Sequence, residues 1–252
     1  MGNVKKALKF SLAMVPAAVA AGLCFWMYQL DLFTEEQLAP ILEWAGGRGA
    51  LVLIGTGQTL CAVLLASFFG YLLARAVGLW RERSLEPTGV ARCLTASVLC
   101  GLLCSLDFWV FGYFLEAVRD SAVPGLTVGG VAAAVLYGGV VEELLMRLFL
   151  LSLIVFLLWK LFFRKRPRER IPKGVFIAAN VLSALFFAVG HLPADILLFG
   201  GLTPLVVVRG LLLHGGFGLL FGRIYCKYGL RCAMLSHITL HLVSKLVWGL
   251  LV

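Results

Sequence analysis

The chain has 252 residues, of which 61% are apolar and 14% are charged, whereas soluble domains contain about 45–50% apolar and about 25% charged residues. With a mean hydropathy of +0.98, this composition excludes an ordinary soluble protein. The net charge of +9 would favour nucleic acid binding in a soluble chain, but here the basic residues lie between long apolar segments, where they orient a membrane protein. We therefore predict an all-α, polytopic integral membrane bundle that lies in the lipid bilayer and binds no nucleic acid.

Apolar segments long enough to cross the bilayer recur along the whole chain. Because a helix needs roughly 20 apolar residues to span the hydrocarbon core, the sequence predicts transmembrane helices near 7–30, 50–74, 93–115, 129–163, 174–192, 203–222 and 230–251. The segments between them alternate in charge, and short basic segments are expected in the cytoplasm. These basic segments are the N-terminus, 75–92, 160–173 and 223–231. The N-terminus is thus predicted to be cytoplasmic.

The depth of the last helix conflicts with seven simple crossings. His237 lies six residues after Arg231, about 9 Å along a helix, whereas Glu142 lies 22 residues before Arg164, about 33 Å. If both basic segments are cytoplasmic, either the last helix starts deeper in the bilayer or residues 192–228 form a re-entrant pair or two crossings. We expect the second arrangement, and hence seven to eight transmembrane helices.

Seven charged residues lie within or at the margins of these spans, although a charge at the bilayer centre costs about 2.5–3.5 kcal/mol on insertion scales. They are Asp107, Glu142, Glu143, Arg147, Asp195, Arg209 and Lys245. Lys245, near the C-terminus, is expected to reach the membrane interface along its flexible side chain, and Asp195, just after Pro193, is expected to be interfacial. Asp107 and Arg209 are interpreted either as a structural pair or as residues that line a cavity.

The adjacent carboxylates Glu142 and Glu143 point about 100° apart on a helix, so they cannot both face one partner. Arg147 lies four residues after Glu143 on the same helix face, where an ion pair would hold that carboxylate. Glu142 is then free to act as a general base or acid. A buried salt-bridge network in a transporter would use the same pattern, and that alternative remains open.

All four histidines follow the glutamates in the sequence. His191 ends the stretch F-A-V-G-H, and His237 and His241 are one helical turn apart in S-H-I-T-L-H, so both can face one cavity. With Glu142 they form a candidate catalytic cluster. His214 has no evident partner and is expected to pack or to bond a backbone group. The seven cysteines include no C-x-x-C pair and are interpreted as small packing residues.

The order E-E-x-x-x-R, then F-x-x-x-H, then H-x-x-x-H in these membrane segments resembles the CPBP family, which comprises type II CAAX prenyl proteases and bacterial abortive-infection-like intramembrane proteases. The resemblance covers roughly residues 129–245. We therefore divide the chain into N-terminal transmembrane helices without family motif, 1–128, and a catalytic transmembrane core, 129–252. The resemblance implies that Glu142 and His191 hold and activate the hydrolytic water.

The resemblance also implies roles for the other motif residues. Glu143 with Arg147 would orient the site, and His237 with its partner four residues later would stabilise the oxyanion. That partner is commonly Asn in the family and is His241 in this chain. An imidazole can still donate a hydrogen bond to the oxyanion, but the donor becomes sensitive to pH.

Peptide hydrolysis needs an activated water and hydrogen-bond donors aimed at the developing oxyanion. The chain has no G-x-S-x-G motif and no cysteine beside a histidine in the sequence, so direct attack by water is expected. It has no H-E-x-x-H motif, and no cofactor is expected. If the protein depended on zinc, its ligands would be Glu142, His191 and His237.

The resemblance therefore implies an intramembrane endopeptidase, which we expect in a bacterial inner membrane. Because a site buried among helices can be reached only by an extended segment close to the membrane, the expected partner is a membrane-anchored or lipidated protein substrate. Two alternatives remain: a non-proteolytic membrane protein of bacteriocin-immunity or scaffold type, and a transporter that uses the same buried charges.

Overall fold

The computed structural model describes residues 2–81 and 86–252, and all regular structure within these ranges is helical. Seven helices in this part of the chain are long and apolar enough to cross a membrane, which confirms the predicted polytopic bundle. The four residues 82–85, part of the basic segment 75–92, lie outside the described ranges. The helices are α1 Gly2–Leu32, α2 Arg48–Val77, α3 Pro87–Val110, α4 Val128–Phe162, α5 Lys173–Phe199, α6 Pro204–Tyr228 and α7 Leu230–Leu251.

The basic segments gather at one end of the bundle, which we call the basic end. Arg168, between α4 and α5, donates a hydrogen bond to the carbonyl of Arg75 near the end of α2, at 3.4 Å. At the opposite end, Gln37 in the short helix Glu35–Ala45 donates to the carbonyl of Leu197 in α5, at 2.7 Å. This separation of charge along the bundle is the pattern that orients membrane proteins with their basic end in the cytoplasm, and that orientation stays a prediction.

Residues 192–228 do not form the predicted extra crossing. α5 continues as one helix to Phe199, and Gly200 and Gly201 then turn the chain with φ values of +70° and +156°. Glycine takes these φ values without the steric cost of a Cβ atom. α6 begins at Pro204, where the missing N–H group is not needed, and runs without interruption to its end. The expectation was wrong because these residues end one helix and start the next.

The deeper start of α7 resolves the conflict of depth instead. α4 and α6 run in the same direction, and the hydroxyl groups of Ser152 and Tyr225 lie 2.9 Å apart, so these residues share a level. From there α4 continues ten residues to Phe162, about 15 Å, whereas α6 reaches the turn at Gly229 in four, about 6 Å. The α6–α7 turn therefore lies about 9 Å deeper than the end of α4, which lets His237, eight residues after that turn, reach Glu143.

α4 has an unusual geometry around the two glutamates. Ala134–Val141 and Leu144–Leu151 have the wide turns of a π-helix, and the glutamates lie between them. Such turns are rare in helices and occur frequently at functional sites. α4 packs closely on α2 at Gly70, where a Cβ atom would lie 2.9 Å from Cγ of Leu148. Close approach at small residues is how membrane helices associate, and it fixes α4 at the centre of the bundle.

Candidate active site

The predicted catalytic residues meet at one cavity of about 320 Å³, which lies among α4, α5, α6 and α7 and the ends of α1 and α3. Two of the six, Glu143 and Arg147, are buried directly behind its wall, with 0% and 1% of their surface exposed. The other four line the cavity: Glu142, His191, His237 and His241. The structure thus brings together side chains from three helices that the sequence could relate only by order and spacing.

Glu143 is held by two partners. Its Oε1 atom lies 3.1 Å from Nη1 of Arg147 and 2.9 Å from Nδ1 of His237, so the predicted ion pair with Arg147 is present. The Arg147 guanidinium lies over two aromatic rings, 4.7 Å from the centre of Phe187 and 5.5 Å from that of Phe221. Glu143 therefore joins α4 to α7 through a rigid, water-excluded contact.

Glu142 has a different environment, because it faces the cavity and α5. Its Oε1 atom lies 3.7 Å from Nε2 of His191. The other ring nitrogen of His191, Nδ1, lies 2.8 Å from the carbonyl oxygen of Phe187. A carbonyl only accepts, so Nδ1 carries a proton and donates. In the neutral ring, Nε2 is then the nitrogen that can accept a proton, and it points towards Glu142.

Ring stacking fixes the orientation of the histidines. His214 lies parallel to His191, with ring centres 3.7 Å apart and planes 10° apart. His237 stacks on His241, with centres 4.8 Å apart, and on Phe221, with centres 4.4 Å apart. For His214 the sequence predicted packing but no partner, because nothing local connects a residue on α6 to one on α5. The stack restricts rotation of the His191 ring.

Asp107, Arg209 and Asp195 form a second charged cluster in the same cavity. Arg209 donates to both oxygens of Asp107, at 2.9 and 2.7 Å, and its Nη1 lies 3.7 Å from Asp195. Both interpretations of Asp107 and Arg209, a structural pair and a cavity lining, therefore hold. Asp195 is 5% exposed, because its side chain turns inwards to Arg209, and its position at the depth of the membrane interface stays a prediction.

Lys245 departs from its expected position. Its Nζ atom donates to the carbonyl of Gly125 at 2.6 Å, and the side chain lines the cavity. Gly125 belongs to the short helix Ala122–Leu126, which precedes α4. Lys245 therefore connects α7 to this short helix and does not extend into the membrane interface as predicted.

Two glycines allow α4 and α7 to touch at the site. A Cβ atom at Gly138 would lie 2.7 Å from Nε2 of His241, and one at Gly139 would overlap the side chain of Ile238. Because non-bonded heavy atoms pack best at about 3.5–4.0 Å, neither position accepts a side chain without movement. The sequence alone indicated no role for these glycines, although Gly139 lies three residues before Glu142. They let His241 reach the surface of α4 that presents Glu142.

Zinc ligation can be examined from the arrangement of the donors. Within residues 2–81 and 86–252, no group of three His, Cys, Asp or Glu side chains is spaced to hold a metal ion. The three residues expected to bind zinc if the protein depended on it, Glu142, His191 and His237, are thus not gathered around one point, since His237 turns to Glu143. Metal independence stays a prediction. All seven cysteines are free, as expected for packing residues.

The comparisons with known proteins concern the same part of the chain. Residues 124–243 match the family model described as type II CAAX prenyl endopeptidase, Rce1-like. The match includes all six predicted catalytic residues and confirms the resemblance stated from the motifs. Comparisons with curated proteins and with solved structures gave no match.

Proposed function

We propose that the protein is an intramembrane endopeptidase in which Glu142 and His191 activate a water molecule, because residues 124–243 match the model of the Rce1-like type II CAAX prenyl endopeptidase family. The observation that carries this proposal is the difference between two adjacent carboxylates. Glu143 is tied to two partners behind the wall, whereas Glu142 opens to the cavity opposite His191. One glutamate thus orients the site and the other is available for chemistry.

Glu142 and His191 are placed to share the hydrolytic water. The 3.7 Å between their facing atoms is too long for a direct hydrogen bond, and one water molecule beside the pair can hydrogen-bond to both. In the first step, the water oxygen bonds to the scissile carbonyl carbon while Glu142 takes the proton that the water releases. In the second step, the carbon–nitrogen bond breaks and that proton passes to the leaving amine.

His237 and His241 are the proposed oxyanion donors. Because Glu143 engages Nδ1 of His237, only Nε2 remains for the oxyanion, and it donates only when the ring carries both protons. His241, stacked on His237, supplies a second N–H group. Removing one oxyanion donor typically lowers kcat by about 10²–10³.

The proposed substrate is a membrane-anchored or lipidated protein. The cavity wall extends to Leu32 and Ser121, which lie towards the end of the bundle opposite the basic end, so an extended segment would enter there. With the basic end in the cytoplasm, entry is from the extracytoplasmic side of a bacterial inner membrane. The match to prenyl endopeptidases makes a lipidated tail one candidate form of this substrate.

Replacing Glu142 with Gln tests the proposal, since the substitution keeps the volume and removes the base. Cleavage should fall by about 10²–10⁴. Quantitative mass spectrometry of membrane and secreted proteins, from cells with Glu142→Gln and from their parent, should show the substrate retained uncleaved in the membrane. Glu43→Gln is a matched control, because Glu43 is an exposed carboxylate of the short helix Glu35–Ala45.

A second form of the test uses purified protein in lipid nanodiscs with quenched fluorescent peptides, lipidated and unlipidated. A well-inserted Glu142→Gln protein that cleaves at the wild-type rate would exclude the general-base role of Glu142. If no membrane protein changed in size or location between the two strains, the proteolytic function would be refuted. The immunity, scaffold or transport alternatives would then be favoured.

A further inference from the structure

A larger cavity lies at the basic end and shares no lining residue with the active-site cavity. Its volume is about 650 Å³, within the range of about 300–1,000 Å³ of small-molecule sites. It is enclosed by α1, the end of α2 and the α6–α7 turn. Among the described residues its lining includes five cationic side chains and one carboxylate, and we call it the basic groove: Lys6, Lys9, Arg81, Lys227, Arg231 and Glu86.

The described carboxylates do not balance the positive charge of the basic groove. In the described part of the chain, no ion pair engages Lys9, Lys227 or Arg231. Arg81 donates to the backbone carbonyl of Cys226, at 3.2 Å, and no carboxylate among residues 2–81 and 86–252 pairs with it. Cations that converge in this way repel one another and attract an anion.

The opposite wall of the basic groove is apolar and aromatic. Phe10 packs edge-on against Trp80 with ring centres 5.1 Å apart, and Trp80 lies 4.4 Å from Tyr71. On the outer surface of α1, Leu8 and Leu12 are 51% and 56% exposed. A groove with cations on one side and an apolar surface on the other fits an amphiphilic anion.

We propose that the basic groove binds the headgroup of one anionic phospholipid. Its phosphate lies among Lys9, Lys227 and Arg231, and its acyl chains follow the outer surface of α1. Basic pockets between transmembrane helices are suited to such headgroups. The apolar wall, and the position at the end of membrane-spanning helices, favour a lipid over a soluble phosphate compound. The proposal does not depend on the peptidase function.

The lipid stabilises the start of the helix that contains two of the active-site histidines. Gly229, with a φ of +91°, forms the turn between Lys227 and Arg231. His237 follows Arg231 by six residues, about 9 Å along α7. A headgroup that holds both cations therefore fixes the turn and, through it, the depth of His237. Binding of the lipid to the folded state raises its thermal stability.

The first test titrates the purified wild-type protein, in a neutral detergent, with phosphatidylglycerol, phosphatidylcholine or sodium phosphate. Phosphatidylglycerol should raise Tm in a saturable manner and remain bound in native mass spectrometry, whereas the other two should do neither at equal concentration. Equal shifts with phosphatidylcholine would overturn the selectivity for an anionic headgroup. Displacement of phosphatidylglycerol by an equal concentration of phosphate would overturn the assignment to a lipid.

The second test locates the site. A triple variant that removes three cations of the groove should weaken phosphatidylglycerol binding about 100-fold: Lys9→Gln, Lys227→Gln and Arg231→Gln. The matched control removes the same charge from exposed positions outside the groove and should bind like the wild type: Arg164→Gln, Lys165→Gln and Lys173→Gln. Equal losses in the two variants would overturn the site. If the first variant is not monodisperse, the charge-keeping pair Lys9→Arg and Lys227→Arg should bind normally, and loss of binding would contradict the proposal.

Discussion

Gly138→Ala should impair catalysis by displacing one imidazole ring. The added methyl group would lie 2.7 Å from Nε2 and 3.2 Å from Cδ2 of His241. Since ordinary packing distances begin near 3.5 Å, the ring must move by about 0.8 Å. A misplacement of about 1 Å at a catalytic group can cost about 10²-fold in rate, so we expect kcat/KM to fall by about 10–100-fold. Stability should not fall in parallel, because Ala is favoured over Gly in a helix by about 1 kcal/mol.

The peptide assay in nanodiscs, combined with thermal unfolding, measures both effects. Gly216→Ala is the matched control, because an added methyl group there meets nothing within 4 Å, and its kcat/KM should stay at the wild-type value. The double variant Gly138→Ala with His241→Asn should recover much of the lost activity, since the shorter amide leaves room for the methyl group and still donates. Wild-type kcat/KM in a folded Gly138→Ala protein would refute the assigned position of His241.

Three further predictions concern metal, charge and topology. Treatment of the purified enzyme with a chelator should leave peptide cleavage intact, and elemental analysis should find substoichiometric zinc. Activity that is lost to the chelator and restored by zinc would contradict the predicted metal independence. Arg209→Met should lower the free energy of unfolding by about 3–5 kcal/mol, because it leaves the Asp107 carboxylate buried without its partner. The control Arg223→Met, on the exposed surface of α6, should change the free energy of unfolding by about 0.5 kcal/mol or less. Denaturant titration of both variants measures the difference. Single cysteines placed at Lys227 and Val252 should be labelled from opposite sides of the membrane, and labelling from one side would exclude the seven-helix arrangement.

Local patterns were sufficient to predict the helices and one contact of the site. Each of the seven long helices is a continuous apolar segment bounded by charged or turn-forming residues, so hydropathy locates it. The ion pair of Glu143 with Arg147 follows from their spacing on one helix. The grouping of His237 and His241 on one face follows in the same way. These features depend only on residues close in the sequence.

Apart from the Asp107–Arg209 pair, contacts between helices could not be predicted, because they depend on the rotation and depth of each helix. The stack of His214 on His191 requires a known rotation of both α5 and α6. The inward turn of Asp195 depends on where Arg209 lies, and Arg209 is on another helix. The deep start of α7 is set by how α6 packs on α4, which no distance from a basic segment encodes. The importance of Gly138 appears only once α7 is in place.

The bidentate contact of Arg209 with Asp107 has a consequence for how the protein can be divided. Asp107 is in α3, whereas Arg209 lies in the family-matched segment. A second bond, from Trp248 Nε1 to the carbonyl of Ser105, joins α3 to α7 at 2.9 Å. A fragment that contained only residues 124–252 would therefore expose the packing face of α7 and leave Arg209 without its bidentate partner. Co-expression of the N-terminal helices as a separate chain should restore both bonds, so the two halves are suited to fragment complementation.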